Sequence, residues 1–344
     1  MLELREPAGA FELIESWLRE RGFFAPGGEH LEADLYLGYG LSEPLRRTPV
    51  PAPPEPCPLP LAAVAVRDVS QGQALGQAQI GQWGRSWTDA EYADAVEAVR
   101  AAIGRGDVYQ VNLVQHLSAP FAGEPGGLAP PLSEFAPRTL AGEGWTIVSA
   151  SPELFLSRRG RRLRTCPIKG TRPLGEHVEG EKDAAEHVMI VDLERNDLSR
   201  VCEPGSVRWP ELMAERELAG VTHLVSTVEG TLREEVGLAE LLAATFPGGS
   251  VTGAPKIAAL DLIAALEPVG RGASMGALGT VRGNGDLDLA LTIRTFAVAG
   301  GRVHLWVGGG IVWDSDPEDE VEESWTKARP LLAAIGAPVE TAAR

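Results

Sequence analysis

The amino-acid sequence, 344 residues long, predicts an α+β fold. Predicted strands are numerous and often follow one another directly, and helices are interspersed without the strict alternation that a doubly wound parallel sheet requires. Forty glycines and 26 prolines are spread along the chain, which indicates many turns and no internal repeat. At about 150 residues per domain, this length allows one large domain or two.

The N-terminal part of the chain is compositionally distinct. A helix is predicted from Ala10 to Arg21, and apolar runs predict short strands at 35–41 and 61–67. Between these strands, the proline-rich run 48–61 indicates an extended connector. The composition changes after residue 86, so we divide the chain there.

The main domain is expected to span 87–337 and is denser in regular structure than the first 86 residues. Thr88 and Glu91 form a T-x-x-E capping box before a stretch with helical periodicity, so a helix is predicted to begin there and to stop at Gly104. Such a box indicates a helix start because it satisfies two backbone donors reciprocally.

The other elements of the main domain follow from apolar periodicity. Thr252 or Gly253 is expected to cap the helix that starts at 254, with Pro255 in its first turn, where the missing N–H costs nothing. The remaining predictions, in chain order, are a strand at 108–117, a hairpin at 153–168 turning at Gly160, a helix at 181–201, a strand at 222–232, helices at 238–246 and 254–268, paired strands within 287–309 and a final helix at 317–334.

The charge balance excludes some partners. With 31 basic and 48 acidic residues the net charge is −17, which argues against a nucleic-acid or anionic-membrane surface. No apolar run approaches the roughly 20 residues that cross a bilayer, and the N-terminus does not resemble a signal peptide. Three widely spaced cysteines, Cys57, Cys166 and Cys202, suggest a reducing cytosol, so we expect a cytoplasmic protein.

Two residues are candidates for covalent and acid–base chemistry. Lys169 follows an apolar strand end and precedes a glycine, and a lysine in an apolar pocket can act as an amine nucleophile. An exposed turn lysine is the plainer interpretation. Glu153 stands at a strand start, where burial would suit it to general acid work, although it could equally be an ordinary surface glutamate.

An acidic cluster is a candidate metal site. Glu320 and Glu323 are three apart and share a face of the final helix, and Glu186 lies on the helix predicted at 181–201. Facing carboxylates from two helices would need a hard cation between them, and Mg²⁺ is the expected one. Acidic residues in the first turn of a helix also have a purely structural explanation, because they interact favourably with the positive end of the helix dipole. Upstream, Gly308–Gly310 would allow close backbone approach to a ligand, or would simply form a flexible turn.

Seven ordered motifs resemble the chorismate-utilising enzymes, which include anthranilate synthase component I, aminodeoxychorismate synthase component I, and isochorismate and salicylate synthases. The motifs are SPELF (151–155), PIKGTRPLG (167–175), AEHVMIVDLERNDLSRVCEPGSV (185–207), HLVSTVEG (223–230), FPGGSVTGAPK (246–256), LTIRT (291–295) and GGGIVWDSDPEDEVEES (308–324). The resemblance implies two large β-sheets packed face to face with surrounding helices, and first 86 residues that join the same core. The main domain would be the chorismate-binding catalytic domain.

Within that family, two features resemble aminodeoxychorismate synthase component I. Lys169 stands in PIKGT, where anthranilate synthases usually read PIAGT. The lysine that isochorismate-type enzymes usually carry is absent from the strand YQVNL (109–113). The resemblance therefore implies a transferase of the transaminase class that forms 4-amino-4-deoxychorismate for p-aminobenzoate and folate synthesis. Anthranilate synthase component I is the nearest alternative, and a non-catalytic chorismate-binding or regulatory subunit is another.

The resemblance also implies roles for the candidate residues. Lys169 would attack the ring, with Glu153 as general acid and His223 beside the ring. Mg²⁺ would be held by the carboxylates, and the remaining candidates would contact chorismate. The implied metal ligands are Glu186, Glu320 and Glu323, and the implied substrate contacts are Gly170, Thr171, Thr252, Arg294, Gly308, Gly309, Gly310 and Lys327.

The resemblance also draws attention to two residues that differ from the family pattern, and to the source of the ammonia. Ser274 and Thr280 stand where relatives commonly carry aromatic residues, one of which grips the enolpyruvyl group. None of the three cysteines lies in a glutaminase-like GxCxGxQ context, so ammonia is expected to come from a separate glutaminase subunit.

Overall fold

The computed structural model describes residues 1–67, 76–173, 181–218 and 221–337. Six α-helices occur in this part of the chain. They are α1 (Ala10–Arg19), α2 (Asp89–Arg105), α3 (Glu181–Ser199), α4 (Leu238–Thr245), α5 (Lys256–Leu266) and α6 (Pro317–Ala334). No helix in these ranges is both long enough and apolar enough to cross a membrane.

Eighteen strands accompany the helices in the described ranges. They are β1 (Leu2–Leu4), β2 (Glu32–Leu37), β3 (Ala62–Val66), β4 (Ala78–Ile80), β5 (Gly84–Arg85), β6 (Gln110–Gly123), β7 (Arg138–Gly142), β8 (Trp145–Ser149), β9 (Leu154–Arg159), β10 (Arg162–Cys166), β11 (Ile168–Pro173), β12 (Arg208–Leu218), β13 (Val221–Thr231), β14 (Gly253–Ala254), β15 (Ala277–Arg282), β16 (Leu287–Leu291), β17 (Thr295–Ala299) and β18 (Arg302–Ile311).

The strands form two antiparallel sheets. The ten-stranded sheet has the order β1-β3-β2-β15-β16-β9-β10-β13-β11, with β12 paired to β13. The eight-stranded sheet has the order β14-β6-β18-β17-β8-β7, with β4 and β5 paired to β6. The predicted α+β class is confirmed. Both sheets are antiparallel, and the helices do not alternate regularly with the strands along the chain, which is typical of this class.

The largest hydrophobic core lies between the two sheets. Leu35 and Leu289 of the ten-stranded sheet belong to the same buried cluster as Ile147 and Ala297 of the eight-stranded sheet. The N-terminal strands take part in the first of these sheets, where Leu35 of β2 pairs with Gly279 of β15. The domain division at residue 86 stays a prediction.

Local signals near turns and caps predicted several elements well. Thr88 and Glu91 form the predicted capping box at the start of α2, with the Thr88 N–H donating to Glu91 Oε2 at 2.6 Å. The hairpin β9–β10 turns at Gly160, whose φ of 55° is a left-handed conformation that suits glycine. Two arginines of this hairpin pair with acids of neighbouring strands, Arg159 with Asp288 at 2.7 Å and Arg162 with Glu229 at 2.5 Å.

Two predicted boundaries are wrong, and one strand was not predicted. The paired strands predicted within 287–309 are present as β17 and β18, but the first of them was drawn too long. β16 belongs to the ten-stranded sheet and β17 to the eight-stranded sheet, and the chain crosses between them at 292–294. The strand predicted at 35–41 ends at Leu37, and a 3₁₀ helix follows from Tyr39 to Leu45. The edge strand β12 was not predicted, because its charged sequence hides the alternation of a half-buried strand.

The predicted cap of α5 is also wrong. Gly253 and Ala254 pair with Val111 and Gln110 as the short strand β14, so the helix starts only after Pro255. The Thr252 hydroxyl donates instead to the Gly248 carbonyl at 2.9 Å. Strand pairing over a long sequence distance therefore overrode the local capping signal.

Candidate active site

The two sheets meet at the strand that carries three consecutive glycines. A Cβ atom at Gly310 of β18 would clash with Gln110 Nε2 of β6 and would lie 3.3 Å from Lys169 Nζ of β11. Lys169 belongs to the ten-stranded sheet, whereas Gly310 belongs to the eight-stranded sheet. A side chain at this point would displace the Gln110 amide and crowd the lysine amine, which favours glycine here.

The acidic side chains of α6 approach the preceding glycine. A Cβ atom at Gly309 would lie 3.2 Å from Glu323 Oε1, 3.3 Å from Glu320 Oε2 and 3.4 Å from Lys327 Nζ. Successive side chains of a strand point to opposite faces, so these groups and Lys169 approach neighbouring glycines of β18 from different directions. At Gly309 the structure brings together two metal-ligand candidates and Lys327.

Each of the α6 side chains is held in place. The Ser315 hydroxyl donates to Glu320 Oε1 at 2.6 Å, and Glu320 is 4% exposed. Lys327 Nζ donates to Glu323 Oε1 at 2.6 Å and to the Gly308 carbonyl at 2.8 Å. The two glutamates share a face of α6 as predicted, because they are three residues apart.

Glu153 is a buried carboxyl close to two cations. Its residue is 5% exposed, and its Oε1 accepts a hydrogen bond from the Ile168 N–H at 3.4 Å. Burial raises the pKa of Glu153, and the charges of Lys169 and Arg294 act in the opposite direction. A carboxyl that keeps its proton beside a nucleophile is suited to act as a general acid.

Arg294 lies where the chain crosses from one sheet to the other. Its φ of 49° is unusual for a residue other than glycine, and the Ala150 N–H donates to its carbonyl at 3.0 Å. Burial lowers the pKa of Arg294, and the carboxyl of Glu153 opposes that shift. Because the crossing separates β16 from β17, it turns this guanidinium towards Glu153 rather than into a strand ladder.

His223 supports the turn after Lys169. Its Nδ1 lies 2.8 Å from the Gly170 carbonyl, and burial lowers its pKa. A carbonyl can only accept, so the neutral ring carries its hydrogen on Nδ1. Gly170 has a φ of 62°, which a side chain would strain. Thr171 follows in β11, and its side chain lies outside the described part of the chain.

Three hydroxyl-bearing residues are engaged within the fold. Thr252 is fully buried and holds its own turn. Ser274 donates to the Thr292 carbonyl at 3.3 Å, and Thr280 accepts from Arg67 Nη2 at 2.8 Å. These contacts give Ser274 and Thr280, the two departures from the family pattern, structural partners of their own.

A magnesium ion would find a partly assembled ligand set. Glu320 and Glu323 offer converging carboxylate oxygens, and Mg²⁺ is commonly held by one or two carboxylates together with water and substrate oxygens. Glu186, the third predicted ligand, stands on α3 and is partly buried. Within the described ranges no group of three metal-binding side chains is gathered at one point. The pair on α6 therefore fits the ion as a two-carboxylate site.

Sequence reasoning missed two residues beside these groups. Gln110 is 1% exposed, and its Oε1 has no hydrogen-bond partner among the described residues. Glu194 on α3 is 7% exposed. The signal for Glu194 was its spacing, since it lies on the same face of α3 as the buried Ile190, Val191 and Leu198.

Comparison with known proteins identifies the family. Residues 59–333 match the family model described as chorismate binding enzyme. The chain belongs to this family. The match covers most of the chain and includes every one of the candidate site residues.

Relatives in the family have two different names. The chain is 44% identical to anthranilate synthase component 1 of Thermus thermophilus over 71% of this chain and 56% of the relative. It is 38% identical to aminodeoxychorismate synthase component 1 of Bacillus subtilis over 74% of this chain and 57% of the relative. The chain thus spans just over half the length of these curated relatives.

A solved structure confirms the predicted architecture. Anthranilate synthase component I from Streptococcus pneumoniae matches with a TM-score of 0.75 and 27% identity, over 87% of this chain and 80% of that one. Two packed antiparallel sheets with surrounding helices are therefore the fold of this family member.

Proposed function

We propose that this chain converts chorismate and ammonia to 4-amino-4-deoxychorismate, as the synthase subunit of an aminodeoxychorismate synthase. The observation that carries the proposal is the position of Lys169. Its amine lies at Gly310 of the glycine strand and within the electrostatic influence of the buried acid Glu153. Membership of the family leaves several activities open, and a lysine nucleophile at this point favours amination at C4.

The first step would be addition of Lys169 to C2 of the ring. The lysine nitrogen forms a bond to C2, the two conjugated ring double bonds both shift, and the C4–oxygen bond breaks. Glu153 donates its proton to the departing hydroxyl, which leaves as water. Protonation matters because hydroxide is a poor leaving group, and burial keeps the proton on Glu153 by raising its pKa.

The second step would be addition of ammonia at C4. The new C–N bond forms as both double bonds shift back and the C2–lysine bond breaks, which restores Lys169. The ammonium formed at C4 loses one proton, and that proton replaces the one that Glu153 gave up. Dividing one hard displacement into two easier steps is the advantage of covalent catalysis.

Other residues would orient the dianionic substrate. Arg294 would pair with the enolpyruvyl carboxylate, with His223 beside the ring and backbone groups of Gly170, Thr171 and the glycine strand holding the substrate. Bound Mg²⁺ would supply positive charge for the ring carboxylate, with Glu320 and Glu323 of α6 as its protein ligands. Lys327 neutralises part of the acidic cluster through its 2.6 Å contact with Glu323.

The nitrogen would come from a separate glutaminase subunit in the cytoplasm. A glutaminase needs a reactive thiolate, and low-pKa cysteines lie in electropositive, accessible places. Burial raises the pKa of Cys57 to about 12 and that of Cys202 to about 11. Burial also raises the pKa of Cys166. None of the three thiols is thus activated for glutamine hydrolysis.

Identification of the product by mass spectrometry tests the proposal. The purified protein is incubated with chorismate, MgCl₂ and an ammonium salt, and the product is expected to be 4-amino-4-deoxychorismate. Anthranilate as the main product would contradict the proposal and support the alternative of an anthranilate synthase. Unconsumed chorismate, with and without a glutaminase, would instead support a non-catalytic binding subunit.

A further inference from the structure

Two side-chain amides of β6 are buried beside the candidate active site with their oxygen atoms unused. Gln110 is 1% exposed and Asn112 is 7% exposed. Within the described residues, neither Gln110 Oε1 nor Asn112 Oδ1 accepts a hydrogen bond. Burying a polar atom in this way is costly unless a ligand or an ordered water supplies the missing partner. The two oxygens therefore point to a bound molecule.

The register of the sheet directs both amides to one glycine of β18. Gln110 and Asn112 are two residues apart on β6, so their side chains leave the same face of the sheet. Asn112 pairs directly with Gly310, and a Cβ atom at Gly310 would clash with Gln110 Nε2. That Cβ atom would also lie 3.3 Å from Lys169 Nζ. The two amides and the lysine amine thus converge on the space around Gly310.

The backbone of Asn112 is fixed on both sides. Its N–H donates to the Thr252 carbonyl at 2.8 Å, and its carbonyl accepts from Arg271 Nη2 at 2.7 Å. Because the strand cannot turn here, the side-chain oxygen cannot move away to find a donor elsewhere in the protein. It remains available to a ligand.

The chemistry of the two oxygens restricts the ligand. An amide oxygen can only accept, so the ligand must donate a hydrogen bond to each of them. The positive charge of Lys169 beside the amides favours a neutral ligand over a cation. Among the reactants of the proposed function, ammonia meets both conditions, because it is small and neutral and carries several N–H groups.

We propose that Gln110 and Asn112 form the binding site for the ammonia that attacks C4. The inference rests on the proposed function, in which Lys169 is bonded to C2 when ammonia adds. Two N–H groups of ammonia donate to Gln110 Oε1 and Asn112 Oδ1. Since an acceptor oxygen repels a lone pair, the lone pair of the nitrogen is directed away from the amides and towards the ring. C4 is separated from C2 by one ring atom, so a nitrogen held beside Lys169 is close to the carbon that it attacks.

Steady-state kinetics of chorismate consumption test the assignment. Gln110→Met and Asn112→Leu keep the size of each side chain but remove the acceptor. KM for ammonium should rise by about five- to tenfold in each variant, which is the effect of losing one hydrogen bond, and excess ammonium should recover the lost rate. KM for chorismate should stay within about twofold. A packing role would not produce this split, because a distorted site would affect both substrates.

Gln115→Met is the matched control. Gln115 lies on the same strand and is 2% exposed, but it faces α6, where its Nε2 donates to Ser324 Oγ at 2.5 Å. This variant should keep the wild-type KM for ammonium. A wild-type KM for ammonium in both Gln110→Met and Asn112→Leu would overturn the proposal. So would a rise confined to KM for chorismate, which would assign the amides to that substrate.

A binding measurement without turnover separates this inference from the proposed function. The chain has three asparagines, and the other two, Asn196 and Asn284, are exposed and serve as internal controls. In protein labelled with ¹⁵N at the asparagine side chains, ammonium chloride should shift the Asn112 amide signal in the NMR spectrum with saturation. Sodium chloride at the same ionic strength should not.

The two claims can then fail independently. An Asn112 signal that responds equally to the two salts would overturn the ammonia site even in a protein that forms 4-amino-4-deoxychorismate. A saturating shift specific to ammonium, in a protein that leaves chorismate unconsumed, would support the ammonia site and contradict the proposed function.

Discussion

At the scale of single residues, burial determines the chemistry. Glu153 is 5% exposed and holds its proton because ionisation without water is costly. The sequence predicted the candidate because a glutamate stands at the start of an apolar strand. It could not predict the burial, since the residues that act on Glu153 come from distant segments such as β11 and the 292–294 crossing. A surface glutamate in the same local sequence would look identical.

Glu153→Gln tests the general acid directly. The amide keeps the shape of the side chain but cannot give a proton, so kcat should fall by about 10²–10⁴-fold while KM for chorismate changes little. Steady-state kinetics with saturating ammonium measure both constants. In the wild-type protein kcat should fall as the pH rises through the elevated pKa of Glu153, since only the protonated form is active. A Gln variant with unimpaired kcat would exclude Glu153 as the acid.

At the scale of elements, a buried ion pair fixes the turn that precedes α5 to the strand beside the site. Arg271 donates to Glu267 Oε1 at 2.6 Å, to the Val251 carbonyl at 2.8 Å and to the Asn112 carbonyl at 2.7 Å. Both side chains of the pair are at most 2% exposed. Both residues lie beyond the end of α5 at Leu266, so the pair and its contacts with Val251 and Asn112 depend on tertiary packing that the sequence did not indicate.

Arg271→Met should destabilise the protein by about 3–5 kcal/mol, because Glu267 is then left buried without its partner. Denaturant unfolding measures the loss. The double variant Arg271→Met/Glu267→Leu should recover much of it, since no charge remains in the core. Arg195→Met, which breaks an exposed pair on α3, is the matched control and should cost less than about 1 kcal/mol. Equal losses in the two arginine variants would contradict this account.

At the scale of the whole molecule, the fold assembles the site from distant parts of the chain. The motifs identified the family and most candidate residues, because each motif is local. They could not place Lys169 of one sheet against Gly310 of the other, a contact that depends on how the sheets pack. The net charge of −17 opposes binding of a dianion. Lys169, Arg294 and Lys327 give the site a local positive field, and a bound metal ion would add to it.

Binding of chorismate should therefore depend steeply on Mg²⁺. Titration calorimetry with and without MgCl₂ measures the dependence, and EDTA should abolish turnover until excess Mg²⁺ restores it. Without the ion, Glu320 and Glu323 would repel the ring carboxylate. Equal chorismate affinity in EDTA and in MgCl₂ would contradict a metal role for these glutamates.

The most direct test of the central claim is the rate of 4-amino-4-deoxychorismate formation by Lys169→Ala with saturating ammonium. The account predicts no product above background, because the covalent route has lost its nucleophile, together with wild-type folding as judged by thermal unfolding. A folded Lys169→Ala protein that formed the product at the wild-type rate would contradict it.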